Sequence, residues 1–166
     1  MGTAEVLVVG AGPTGLTLAL QAHADGARVR IIERRSEAFR PSRALILHSR
    51  TLEALRPLGV TDTLLAQADV APEGCLHLGS RVVRARLADL ALPDTAFPHL
   101  SLVRQMDVET VLAQTLADRG IEVERGVELI NVRDGLEHAV ATLRTESGRE
   151  TVACDFVAGC DGPHVH

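Results

Sequence analysis

The sequence predicts an α/β fold: a parallel sheet, a three-stranded β-meander and a separate β-hairpin. Three observations carry that reading. VLVV at 6–9 and VRII at 29–32 are continuous apolar runs rich in β-branched residues, as strands buried on both faces of a parallel sheet are. A glycine turn and a helix-like stretch separate them, which is the order of a βαβ unit. Near the end of the chain, three short runs broken at Asp134-Gly135 and Ser147-Gly148 read as an antiparallel meander.

Taken in order, the first strand covers Val6–Val9 and the turn covers Gly10–Gly15. Pro13 suits the first turn of a helix, where its missing N–H costs nothing. That helix is expected to run to about Asp25, with Leu16, Ala19, Leu20 and His23 on one stripe and Gly26 as its stop. Val29–Ile32 is the second strand. Residues 34–49 read as a polar, arginine-rich connection, and residues 50–58 and 60–68 as short helices. CLHLGSRVVRARL alternates about Gly79-Ser80 and predicts a hairpin over 75–87. Residues 88–100, with Pro93 and Pro98, read as a loop.

A longer helix is expected over 105–119, on the periodicity of Met106, Val108, Val111, Leu112, Thr115 and Leu116, with Gly120 as its end. A strand at 121–124 follows, then the meander at 127–133, 138–145 and 150–153. A last apolar strand, Phe156–Gly159, ends in Cys160, Asp161 and Gly162.

Composition narrows the partners. Apolar residues make up 46% of the 166, enough for a core, and the net charge is −5. An acidic balance argues against nucleic acid, whose phosphates need a basic face. No apolar stretch approaches the roughly 18–20 residues of a membrane-spanning helix. The first residues carry no basic leader or small-residue cleavage site, so no secretory peptide is expected. Cys75, Cys154 and Cys160 form no C-x-x-C pair, which fits a reducing cytoplasm and no zinc site. Cys154 and Cys160 sit in apolar surroundings, as buried structural thiols do. The terminal His164-Val165-His166 is read as a frayed end, and no metal is assigned. Aromatic residues are three Phe only, few for a complete small-molecule pocket, so the substrate-holding part is expected to lie elsewhere.

Three glycines at G-x-G-x-x-G spacing say little alone. Here they follow a buried strand and open a helix, and the next strand ends in an acid, Glu33. Each glycine has its own task. Gly10 permits the tight turn, Gly12 lets the backbone approach a pyrophosphate, and Gly15 lets the helix pack close to the strand. The helix N-terminus offers free N–H groups and partial positive charge to phosphates. Glu33 can accept hydrogen bonds from both hydroxyls of an adenosine ribose, and would repel a phosphate there. NADP is thereby disfavoured in this Rossmann-like site, while NAD and FAD both remain.

Further segments bear on that choice. RPSRALILHSRTLEALRPLGV at 40–60, SLVRQMDVETVL at 101–112 and DFVAGCDG at 155–162, after the glycine loop, resemble the FAD-dependent aromatic-ring hydroxylases, the p-hydroxybenzoate hydroxylase-like flavoprotein monooxygenases. The order and spacing match along essentially the whole chain, and the polyketide hydroxylase type is the most similar subgroup. The resemblance implies a Rossmann-like FAD-binding domain, with FAD as cofactor and NAD(P)H as electron donor in the intact relative. Its cofactor-binding set would be Gly10, Gly12, Pro13, Thr14 and Gly15 at the pyrophosphate, Glu33 at the ribose and Arg34 near the adenine. Arg43 would face the phosphates and ribityl chain, Gln105 the ribityl chain, and Asp161 the ribityl or pyrophosphate. A guanidinium at Arg43 suits bidentate phosphate binding, although Arg34, Arg35, Arg40, Arg43 and Arg50 also read as a solvated basic stretch.

The same resemblance implies that 1–166 is the FAD-binding domain of a longer enzyme, cut short, and that 72–100 begins the substrate-domain sheet. The second glycine-aspartate element of that family has no counterpart here. After Asp161-Gly162 the chain reads PHVH instead of continuing to the family's Ser and Arg, which weakens the assignment of Asp161. No side chain is a convincing general acid or base, so no catalytic residue is named. The implied reaction is hydroxylation of an aromatic or polycyclic small molecule with NAD(P)H and O2. A non-catalytic dinucleotide-binding module and an NAD-binding dehydrogenase domain are the alternatives. Leu76, Leu78, Val82 and Leu87 on an incomplete sheet predict a homodimer or a partner polypeptide that completes it.

Overall fold

The computed structural model describes residues 4–37, 44–70, 73–86, 92–135 and 137–162. Its elements, in chain order, are β1 (Val6–Val9), α1 (Pro13–Ala24), β2 (Val29–Glu33), β3 (Ala44–Leu47), α2 (Ser49–Leu55), α3 (Thr61–Gln67) and β4 (Asp69–Val70). There follow β5 (Glu73–Leu78), β6 (Arg81–Arg86), β7 (Ser101–Arg104), α4 (Gln105–Asp118), β8 (Val123–Arg125), β9 (Glu128–Asp134), β10 (Ala139–Thr145), β11 (Gly148–Cys154) and β12 (Phe156–Gly159). They divide into two compact units, Met1–Arg40 with Leu112–His166, and Pro41–Val111.

The first unit is built on a parallel sheet in the order β12-β1-β2-β8. β1 is central: Val6 pairs with Phe156 and Val29, and Val9 with Gly159 and Ile32. Leu7 and Val8 are fully buried, as a run without polar alternation requires. α1 packs on β1 and β2 and buries Leu16, Ala19 and Leu20. The opposite side of the sheet is covered by the meander β9-β10-β11. There Leu7, Val9 and Ile32 share a core with Ala141, Leu143, Val152 and Cys154. Burying each large aliphatic side chain contributes roughly 1.5–3 kcal/mol.

A charged clamp joins the two layers. The Arg30 guanidinium on β2 donates to both carboxylate oxygens of Glu124 on β8, at 2.7 Å each, and to both of Glu150 on β11, at 2.8 Å each. Hydrogen bonding to these two carboxylates raises the Arg30 pKa, and the bond from Arg30 holds Glu150 below the usual carboxylate range.

The second unit contains α2 and α3, the antiparallel sheet β3-β7-β4 and the isolated hairpin β5-β6. The hairpin turns at Gly79-Ser80, where Gly79 has φ +62°. Leu76 pairs with Val83 and Leu78 with Arg81. Among the described residues no third strand joins it.

Most expected elements stand where the sequence puts them, with three differences. The stretch 34–49 is not wholly a connection, because Ala44–Leu47 forms β3 against β7, and β4 and β7 were also unforeseen. Four-residue and two-residue strands are too short for a period to register. In β3 Leu47 is buried while the equally apolar Ile46 is exposed, so the pattern conceals the inward face. β8 begins at Val123, and β11 begins at Gly148, whose φ of +131° suits glycine alone. Cys154 is buried as expected, whereas Cys160 is only half-buried. No described helix is long and apolar enough to cross a membrane.

Candidate cofactor site

The glycine loop lies at the C-terminal ends of β1, β2 and β12, where open parallel sheets bind ligands. Gly10 has φ +102°, and a Cβ there would lie 2.6 Å from the Cys160 carbonyl oxygen and 2.8 Å from the Asp161 Cα. A Cβ on Gly15 would overlap the Gly10 carbonyl oxygen. Both residues are therefore demanded by packing between the loop, α1 and the end of β12. Gly12 differs: a Cβ there would meet nothing within 4 Å. The open space faces the start of α1, whose N-cap is Gly12 and whose first turn holds Pro13 but no acidic residue. The first intrahelical bond is Leu16 N–H to Gly12 C=O, at 3.0 Å. The N–H groups of Thr14 and Gly15 precede it and are left for an anion.

Glu33 ends β2 and is 7% exposed. One carboxylate oxygen accepts the Ala11 N–H at 3.0 Å, and the other accepts the Arg35 N–H at 3.2 Å. The carboxylate is thereby locked against the glycine loop, and each oxygen keeps a second acceptor position. Gly10 N–H also donates to the Ile32 carbonyl, at 2.8 Å, and Cys160 N–H to the Val9 carbonyl, at 2.7 Å. These bonds fix the relative positions of the loop, the acid and the β12 exit.

A cleft of about 380 Å³ opens beside these groups, lined by Gly10, Glu33, Arg34 and Asp161 on one side and by β9 on the other. Its size falls within the roughly 300–1,000 Å³ of small-molecule sites. Arg34 and Arg35 are exposed at its edge and add positive charge near the two carboxylates. The Cys160 thiol beside it has a pKa raised first by burial and then by the Asp161 carboxylate. It does not supply a thiolate nucleophile. An open backbone face at Gly12, unpaired helix N–H groups and a buried acid make a donor and acceptor set that fits the adenosine diphosphate half of a dinucleotide.

The structure gathers Gly10, Gly12, Pro13, Thr14, Gly15, Glu33, Arg34 and Asp161 in the first unit. Gln105 is the first residue of α4 and belongs to the second unit, where its Nε2 donates to Glu109 Oε1 at 2.8 Å. Arg43 lies outside the described residues. The sequence reading missed the wall of the cleft: Arg35 and the β9 residues Leu129, Ile130 and Asn131 line it. Nothing in a meander strand marks it as the wall of a cleft. Its one signal is the order of elements, which returns β9 across the sheet.

The chain is similar to known proteins along nearly its whole length. 6-Methylpretetramide 4-monooxygenase of Streptomyces rimosus is 36% identical over 159 residues, which is 95% of this chain and 28% of that protein. Rifampicin monooxygenase of Rhodococcus hoagii is 30% identical over 159 residues, 95% of this chain and 31% of that protein. The chain thus spans under a third of these relatives. Among solved structures, p-nitrophenol 4-monooxygenase from Pseudomonas putida superposes with a TM-score of 0.88 at 26% identity, covering 99% of this chain and 42% of that one. A ternary complex of aklavinone-11 hydroxylase with FAD and aklavinone superposes with a TM-score of 0.85 at 26% identity, covering 98% and 34%. The sequence profile of the FAD binding domain matches residues 3–166, so the chain belongs to that family.

Proposed function

We propose that this chain is the FAD-holding part of a flavin-dependent monooxygenase that hydroxylates an aromatic or polycyclic small molecule with NAD(P)H and O2. The observation that carries the reading is the pairing of an open Gly12 face with a Glu33 carboxylate already fixed by the loop. The N–H groups of Thr14 and Gly15 would receive the pyrophosphate, and Glu33 the adenosine ribose hydroxyls. Arg34 would cover the adenine side, Asp161 would meet ribityl hydroxyls, and Arg43 and Gln105 would complete the set. The flavin supplies the redox and oxygen chemistry when bound, and the protein's share is to bind and orient it.

The β5-β6 hairpin is proposed to pair with further strands, from a second copy or from another polypeptide. A cytoplasmic setting suits the unpaired cysteines. A dehydrogenase domain reading NAD alone is disfavoured by the meander, since such domains continue with βα units.

The test is retention. The purified chain is mixed with FAD or NAD, desalted and scanned in the visible range. Retained yellow colour supports the reading, whereas NAD retained without flavin selects the dehydrogenase. Retention of neither removes cofactor binding from this chain.

A further inference from the structure

The β9-β10 ladder holds one residue more than its pairing uses. Asp134 back to Asn131 pair in step with Ala139 to Thr142, and the register then shifts, so that Leu129 meets Leu143 and Glu128 meets Arg144. Ile130 is left with no residue opposite, as a β-bulge. Opposite residues of an antiparallel ladder share a face. Leu129 and Val132 therefore both lie on the face of the fully buried Leu143 and Ala141, although residues three apart in a regular strand face opposite ways.

Taking Ile130 out would leave every one of these pairs as it is. A strand running from Leu129 straight to Asn131 and Val132 alternates inward, outward and inward, opposite Leu143, Thr142 and Ala141. Pairing thus gives Ile130 no role. The core gives it none either, since it is 38% exposed and stands outside the cluster that Leu129 packs against. It lines the cleft beside Glu33 instead, together with Leu129 and Val132. Val132, although on the core face, is 39% exposed there. Bulges are frequent beside functional sites, where they re-aim a side chain.

We propose that Ile130 is a cofactor-binding residue: with Val132 it seats the adenine ring of the bound dinucleotide, across the cleft from the acid that takes the ribose. Chemistry selects the adenine among the cofactor's parts. A pyrophosphate is charged, and an aliphatic wall offers it no partner. The flavin ring is separated from that ribose by the pyrophosphate and the ribityl chain. The adenine is joined directly to the ribose, is uncharged and presents flat apolar faces. The proposal rests on the dinucleotide reading of this cleft and adds a residue to it.

The test uses the full chain as purified, with FAD followed by fluorescence titration and ADP by amide shifts. Three variants are compared: Ile130→Asp, Ile130→Val and deletion of Ile130. Ile130→Asp should weaken FAD and ADP alike by about tenfold, because it sets an unpaired charge against the ring. Ile130→Val should stay within about threefold of the unaltered chain. The deletion should weaken both ligands as well, yet keep the urea midpoint, because every ladder pair survives it. Unchanged affinity in the aspartate and deletion variants, while the unaltered chain binds FAD, would overturn this proposal and leave the flavin reading standing. A loss for FAD without one for ADP would remove the adenine assignment. A deletion that unfolds the chain would make Ile130 a structural residue and overturn the proposal too. No binding of FAD by the unaltered chain would overturn both readings together.

Discussion

Ala11 donates its backbone N–H to the Glu33 carboxylate at 3.0 Å, across 22 residues of sequence. The acid that would hold a ribose also holds the loop that would hold the phosphates. Binding and folding are coupled at this one side chain.

Glu33→Ala should therefore cost stability as well as cofactor. It strips the acceptors from the Ala11 and Arg35 N–H groups at a site that is 7% exposed. Leaving buried donors unpaired costs about 1–3 kcal/mol each, and solvent entry near Arg35 will reduce the second loss. Urea unfolding of the apo chain should show a fall of about 2 kcal/mol. An unchanged midpoint would mean that the two N–H groups find other partners. Glu33→Arg should in addition abolish flavin retention, and retained colour in that variant would remove the ribose assignment.

The three loop glycines should separate cleanly on mutation to alanine. At Gly15 the new methyl overlaps the Gly10 carbonyl, and at Gly10 it meets Cys160 backbone from a φ of +102°. Each change should cost about 3 kcal/mol or more, or prevent folding, because backbone must move. Gly12→Ala meets nothing, so the apo protein should keep its melting temperature within about 2 °C. Its flavin retention should nonetheless fall, since the methyl would occupy the phosphate approach. Equal losses of stability at all three positions would refute this division of labour.

This division shows what the sequence made legible. Strand, glycine turn, helix and Glu33 lie within one local stretch, and local periodicity plus steric need sufficed to place them. The wall opposite Glu33 comes from β9, far along the chain, and no local rule announces that Leu129 or Asn131 lines the cleft. Arg30 gave no signal either, because a charged residue in a buried strand reads as an interruption until its partners Glu124 and Glu150 are seen. The buried, unpartnered Nδ1 of His99 and hydroxyl of Ser101 are likewise visible only as missing bonds.

The Arg30 clamp carries a pH dependence of defined sign. Glu150 has its folded pKa lowered from the ordinary 4.5 by the hydrogen bond from Arg30. Its stabilisation is present above that ordinary value and is lost as pH falls through the lower folded value. Glu150→Gln should thus destabilise the chain at neutral pH, by about 0.5–1 kcal/mol because the carboxylate is 42% exposed. The difference between the two proteins should shrink below pH ~4.5 in denaturant titrations run at several pH values. A constant gap from pH 7 to pH 3 would show that the clamp acts by shape alone. Arg30→Met should cost more, since it leaves two carboxylates facing each other between the layers.

The hairpin should decide how the chain associates. Leu78 is 62% exposed and Val82 54%, on strands that no other described strand joins. Successive residues of a strand point to opposite faces, and the register sets Leu78 beside Arg81 and Val82 beside His77, so each face of the hairpin presents apolar surface. Exposed apolar strands with open edges recruit other strands, and a charge on them blocks that. Sedimentation at rising concentration should reveal self-association, and Leu78→Lys with Val82→Lys should suppress it while leaving flavin retention unchanged. A strictly monomeric mass in the unaltered chain at high concentration would assign those faces to solvent and remove the homodimer from consideration.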